Sequence, residues 1–254
     1  MIKIKDLAIA AVSTTVICWV SFVGFAPRIQ AQTCVSVYFD QGSAERHGKG
    51  YRSALLLQKA VKAIEPQHVY LSAVEDYQPG DIERCRVNVY IGSIHDNPVP
   101  RSFISDYAST AQKALWLGYN IWETGALMED LFGYRYVGLT TLDSRVKDAQ
   151  RQHGYYRDLL YKGETYERDR ESYEQVELVL THEKRSEVLA ESRHSGSRER
   201  IPYILKSQNR FYIADVPLDG DVNSERRGVF LDVLAEVLGK KPTLRTEELA
   251  NLSR

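Results

Sequence analysis

The chain has 254 residues, enough for one large domain or two small ones with a buried core. Apolar residues make up 43% and charged residues 26%, ordinary values for a folded soluble protein. A formal net charge of −1 gives no electrostatic basis for nucleic-acid binding, which needs a basic stripe, so no such partner is expected.

Residues 1–31 differ from the rest. Lys3 and Lys5 precede an apolar run from Leu7 to Ala26, followed by Pro27 and the small residue Ala31. This order describes a secretory signal cut after Ala31. The run also approaches the ~20 residues that span a bilayer, so an uncleaved signal-anchor is the competing reading. Both place the folded part outside the cytoplasm, periplasmic or extracellular, with membrane contact only through residues 7–26.

Segments 32–142 alternate strand and helix signals. Val35–Phe39 is β-rich and runs into Asp40-Gln41-Gly42, a turn. Tyr51–Ile64 places Leu56, Ala60, Ala63 and Ile64 on one helical face. His68–Leu71 is a second strand, Tyr77-Gln78-Pro79-Gly80 a turn, and Val87–Ile91 a third strand. Pro100 suits the first turn of a helix to about Ala111. Ala114–Gly118 gives a fourth strand, Ile121–Leu131 a further helix, and Val137–Thr140 a fifth strand. Strands alternating with helices imply βαβ units and a flavodoxin-like parallel sheet with helices on both faces; if its strand order is 2-1-3-4, strands one and three are neighbours.

Segments 143–254 read as a β-rich extension closed by a helix. Arg145–Gln152 is a polar linker. Tyr155–Glu167 and Val176–Ala190 are β-like, and Tyr203–Asp215 is a hairpin turning at Ser207-Gln208-Asn209. The charge clusters at 167–171 and 198–200 read as solvated turns. Ser224 caps a last helix bearing Val229, Phe230, Val233, Leu234, Val237 and Leu238, and Gly239 stops it.

Outside the export segment two cysteines remain, Cys34 and Cys85. In an oxidising compartment, on neighbouring strands one and three, they are a candidate disulfide; two buried free thiols are the alternative.

Ligands of open parallel sheets bind beyond the carboxyl ends of the strands. Three segments converge there and supply Asp40, then His95, Asp96 and Asn97, then Tyr119, Asn120 and Trp122, a mixture of carboxylates, amides and aromatics suited to hydroxyl-rich ligands. Each has a plain structural reading as well. Asp40 fits an Asx-turn, Asp96-Asn97-Pro98 a turn, Asn120 with Glu123 a capping box, and Trp122 a core position. Among six histidines no two are spaced for one zinc face, no Gly-rich phosphate loop occurs, and no nucleophile elbow follows a strand. No catalytic residue, metal or cofactor is therefore assigned.

Tyr90-Ile91-Gly92-Ser93, Asp96-Asn97-Pro98-Val99-Pro100, Phe103-Ile104-Ser105-Asp106 and Trp116 through Trp122 form an ordered series. Pro202 through Ser207, Phe211 through Asp215 and Phe230 through Gly239 continue it. The series resembles the DUF2334-type bacterial envelope proteins related to polysaccharide deacetylases, over roughly Val35 to Gly239. The resemblance implies a class I amidotransferase-like region lacking the cysteine nucleophile, followed by a deacetylase domain that carries metal and catalytic carboxylate. Leu244–Leu249 is similar to the opening strand of that domain, with Glu248 in its Asp place. The chemistry of that domain is carried over onto no residue here, which makes the chain read as a truncated or split member. The expectation is a noncatalytic exported module of polysaccharide processing that binds a glycan or a deacetylase-type partner. The alternatives are an amidotransferase-like enzyme or a hydrolase of carbohydrate esters or amides using the crevice residues, and a structural envelope scaffold.

Overall fold

The computed structural model describes residues 32–41, 49–139, 156–167, 175–182, 185–194, 200–216 and 224–241. The chain divides into Met1–Gln30 and Ala31–Arg254, and every described residue belongs to the second unit. The export segment, the linker at 145–152, Gly42, the clusters at 168–171 and 198–199 and residues 242–254 lie outside the described residues. Among the described residues no helix is long and apolar enough to cross a membrane.

Eleven strands are described: β1 Gln32–Phe39, β2 His68–Ala73, β3 Cys85–Gly92, β4 Lys113–Gly118, β5 Tyr134–Leu139, β6 Tyr156–Tyr161, β7 Glu164–Glu167, β8 Val176–Leu180, β9 Glu187–His194, β10 Arg200–Ser207 and β11 Arg210–Ile213. The helices are α1 Lys49–Ile64, α2 Arg101–Ser109, α3 Ala126–Phe132 and α4 Ser224–Leu238. One nine-stranded sheet has the order β2-β1-β3-β4-β11-β10-β9-β6-β7. Pairing is parallel from β2 to β11 and antiparallel from β11 to β7. The protein is thus mixed α/β. The flavodoxin-like 2-1-3-4 order holds, and segments 32–142 and 143–254 share one sheet through the β4–β11 pair.

Three sequence expectations are corrected. The fifth strand does not extend the parallel sheet: β5 pairs antiparallel with β8 in a separate two-stranded sheet. The place beside β4 goes instead to β11, whose fully buried Phe-Tyr-Ile run suits a central position better than β5, where exposed and half-buried residues alternate. The helix expected over 121–131 is interrupted. A 3-10 turn at Ile121–Thr124 ends at Gly125, whose φ of 59° and ψ of −130° are open to glycine but not to other residues, and α3 starts after it. In α1 the buried face is Ser53, Ala54, Leu57, Ala60 and Val61, at helical spacing, while Ala63 is exposed.

The central strands β1, β3, β4 and β11 are buried along most of their length, whereas the edge strand β2 is partly exposed. In register across β1, β3, β4 and β11 run Val37, Val89, Leu115 and Phe211, and beside them Tyr38, Tyr90, Trp116 and Tyr212. The second row meets α2: the Phe103 ring lies 5.2 Å from Tyr38, 5.5 Å from Tyr90 and 6.1 Å from Trp116. Many of the sixteen tyrosines are therefore core or core-rim residues. Pro100 precedes α2, and its carbonyl accepts the Ile104 N–H at 3.1 Å. Buried Arg210 closes the other end of that helix. Its guanidinium donates to the carbonyls of Tyr107, Ala108 and Thr110, groups that a helix end leaves without partners, and also to that of Gln112 just beyond. α4 ends as its Gly239 signal requires, with Gly239 N–H on Glu236 O and Lys240 N–H on Ala235 O.

Cys34 and Cys85 are joined as a disulfide between β1 and β3, Cα to Cα 4.9 Å. They sit at the amino ends of these strands, the end opposite the proposed crevice.

Candidate functional site

The carboxyl ends of β1, β3 and β4 bring Asp40, the 93–97 loop and the 119–122 turn together. Asp40 is buried, and its carboxylate is not an Asx-turn. Oδ1 accepts the Ser93 hydroxyl at 2.6 Å, and Oδ2 accepts the backbone N–H of Ile94. Burial pushes its carboxyl up to about 6, against a partial pull downward from those two hydrogen bonds, with the charge of Glu75 adding to the rise.

Asn120 also points inward. Its φ of 65° is left-handed, and it is fully buried. Nδ2 donates to the Tyr90 hydroxyl and to the Ile94 carbonyl, both at 3.0 Å. The expected capping box is absent, because no side-chain cap bond forms and Glu123 accepts instead from the Val99 N–H at 2.9 Å. Tertiary partners outcompete the local motif here. Burial holds the Tyr90 phenol well above its usual range, with the Asp40 charge adding to the effect.

Asn97, buried, donates to Glu75 at 3.0 Å, and Glu75 also takes the Gln41 backbone N–H at 3.1 Å. Glu75 and Ser93 belong to the site although sequence reasoning did not single them out. The place of Glu75 just beyond a β-rich run, at a carboxyl end, was the available signal.

The outward part is aromatic. His95 lies 4.9 Å from Trp122 and 5.9 Å from Tyr119, and Trp122 lies 4.9 Å from Tyr136 of β5. All four rings are partly buried. Asp96 has φ 57° and its side chain is 69% exposed, with Oδ2 2.8 Å from His95 Nδ1. Tyr136 falls outside the fifth strand expected over Val137–Thr140, because β5 starts three residues earlier, at Tyr134.

Two glycines allow the chain to pass this edge. A Cβ on Gly92 would lie 2.4 Å from the Tyr119 carbonyl oxygen, and one on Gly50 would lie 2.3 Å from that of Asp40. The strand-to-turn segment after β4 holds Tyr119-Asn120-Ile121 where an elbow nucleophile would stand, with none of Ser, Cys or Thr among them. Among the described residues no three His, Cys, Asp or Glu side chains are grouped to hold a metal ion.

No protein-family model matches the sequence, and no curated protein matches it. Solved structures do. The fold is similar to part of α-L-fucosidase isoenzyme 2 from Paenibacillus thiaminolyticus, at TM-score 0.54 and 14% identity, over 85% of this chain and 34% of that one. A ThuA-like protein from Bacteroides uniformis aligns over 84% of this chain and 96% of its own at TM-score 0.49 and 11% identity. A glutamine amidotransferase from Methylobacillus flagellatus aligns over 88% and 90% at TM-score 0.43 and 11% identity. This chain spans about a third of the fucosidase chain. At such identities the likeness is one of fold alone.

Proposed function

We propose that this protein is a noncatalytic, exported accessory module of polysaccharide processing, whose carboxyl-end rim holds a ligand or a deacetylase-type catalytic partner. One observation carries the reading: the inward polar groups of the crevice are buried and bonded to the protein itself. Asp40 holds Ser93 and Ile94, the Asn120 amide N–H group holds Tyr90 and Ile94, and Asn97 holds the exposed Glu75. A general base needs hydrogen-bond reach to its substrate, and a nucleophile needs an adjacent base. Asp40, Asn97 and Asn120 are too deeply buried to offer either to a molecule in solvent. What faces outward is aromatic, with Asp96 beside it, a surface suited to holding.

The association with deacetylase-type processing rests on the ordered residue series that resembles the DUF2334-type envelope proteins, and export rests on residues 1–31. The fucosidase likeness adds no residue to either. We also infer helices on both faces of the sheet. Phe103 and Tyr107 of α2 pack on the Tyr-Trp row, and Phe132 of α3 lies 6.4 Å from Tyr212. On the alternate row, Lys206 spans from the Phe211 ring to Glu236 of α4.

The test is turnover. The purified full chain, incubated with O- and N-acetylated oligosaccharides, is expected to release no acetate above buffer, with or without divalent metal. Release abolished by Asp40→Asn or His95→Gln with the fold intact would favour the hydrolase alternative instead.

A further inference from the structure

We propose that His95, Tyr119, Trp122 and Tyr136, with the Asp96 carboxylate beside them, form a subsite for a pyranose ring of a glycan chain. This deepens the reading above and rests on it, since it supposes that the rim holds its ligand.

The four rings come from three places, the loop after β3, the turn after β4, and β5, and they form one contiguous patch. The centroid separations are 4.9 Å for His95–Trp122 and Trp122–Tyr136, 5.9 Å for His95–Tyr119 and 6.3 Å for Tyr119–Trp122. The main aromatic core, in contrast, is closed: Trp116, Tyr90, Tyr107 and Phe103 are fully buried. This partly exposed aromatic cluster packs its inner side on the core and lies at the carboxyl ends of parallel strands, where this architecture binds ligands. Tyr and Trp present an apolar ring with a polar tip. The C–H face of a pyranose stacks on such rings, and its rim of hydroxyls then meets polar atoms.

Asp96 supplies those atoms. One of its oxygens engages His95, and a carboxylate accepts about four hydrogen bonds, so capacity remains for sugar hydroxyls. Its left-handed φ, tolerated by Asp, turns the carboxylate back onto His95 beside the patch. Other ligand classes fit less well. An exposed carboxylate repels phosphate. The ring planes are mutually inclined by 36° to 68°, so no parallel pair forms a slot for a flat heteroaromatic ring.

Trp122 makes the site readable by chemistry. Trp116 is fully buried and Trp122 is not, so mild N-bromosuccinimide treatment of the full chain, followed by peptide mass spectrometry, reports Trp122 against an internal reference. Cellotetraose and chitotetraose are the probes. At least one is expected to slow Trp122 oxidation in a saturable way. Asp96→Ala, with the fold checked by circular dichroism because alanine is less tolerant of the left-handed φ, is expected to weaken that protection about tenfold, the effect of one lost hydrogen bond to a charged group. Calorimetric binding of either saccharide without Trp122 protection would overturn the subsite while leaving the holding function standing. Protection unchanged in Asp96→Ala, equal protection by adenosine or inorganic phosphate, or no binding of either saccharide would also overturn it. Acetate release in the turnover test is a separate failure, of the noncatalytic reading alone.

Discussion

Asp40, one residue past the first strand, accepts the Ser93 hydroxyl at 2.6 Å across the carboxyl edge of the sheet, and 53 residues of chain separate the two. With the Ile94 N–H on its other oxygen, this one carboxylate fixes the start of the loop that carries His95, Asp96 and Asn97.

That carboxylate should make stability depend on pH in an unusual direction. Its folded pKa of about 6 lies above its ordinary value of 3.8 because burial penalises the charge. Between these values the unfolded chain ionises while the folded one keeps its proton, so the folded state binds more protons and stability falls as pH rises. The contribution present below pH 3.8 is lost progressively up to about pH 6, on the order of 3 kcal/mol for a group this buried. Asp40→Asn, with its amide donating to Ser93 Oγ and its carbonyl accepting from Ile94, should flatten that decline. Urea denaturation of both proteins at pH 4, 5, 6 and 7 measures it, and equal slopes would refute the assignment.

Gly92→Ala should destabilise by about 1–3 kcal/mol, the usual penalty for forcing an extra methyl into a packed place. The new Cβ would meet the Tyr119 backbone, which cannot swing aside as a side-chain tip does. Thermal unfolding of the variant should show it, whereas Gly138→Ala, with open space around it and no left-handed φ, should leave the midpoint nearly unchanged.

Arg210→Lys should cost several hydrogen bonds at once. A lysine ammonium cannot reproduce the planar fork that reaches the carbonyls of Tyr107, Ala108 and Thr110 at the end of α2, and each buried carbonyl left unpaired costs about 1–3 kcal/mol. Hydrogen exchange should report earlier opening of Arg101–Ser109 in the variant, with α1 less affected.

Replacing both Cys34 and Cys85 by serine should lower stability by about 2–5 kcal/mol, since the bridge closes a loop spanning 51 positions. The rim lies at the other end of the strands, so ligand binding measured below the unfolding transition should change little.

Much of the scaffold was legible because its signals are local. Apolar runs at 35–39, 68–71, 87–91 and 114–118, separated by a helical stretch and turn residues, mark the four strands; their order, 2-1-3-4, rests on analogy with flavodoxin-like sheets. The errors share one cause, competition from distant residues. Val137 has strand propensity, but nothing near it announces that β11, more than seventy positions later, takes the place beside β4. Asn120 and Glu123 have capping-box spacing, yet Tyr90, Ile94 and Val99 provide better-placed partners. At the rim, the candidates Asp40, His95, Asp96, Asn97, Tyr119, Asn120 and Trp122 do lie along one edge of the sheet. Sequence could not divide them into inward anchors and outward surface, because burial is decided by packing that brings in Tyr136 and Glu75 from elsewhere.

The insertion of β11 beside β4 also bears on how the chain folds. Until β11 docks, one side of β4 keeps an unpaired row of backbone N–H and C=O groups, an adhesive border for any other strand nearby. That border is closed only by Arg210–Ile213, more than ninety positions further along the chain. The hazard belongs to the unfinished fold alone, because the completed protein buries the same strand at its centre.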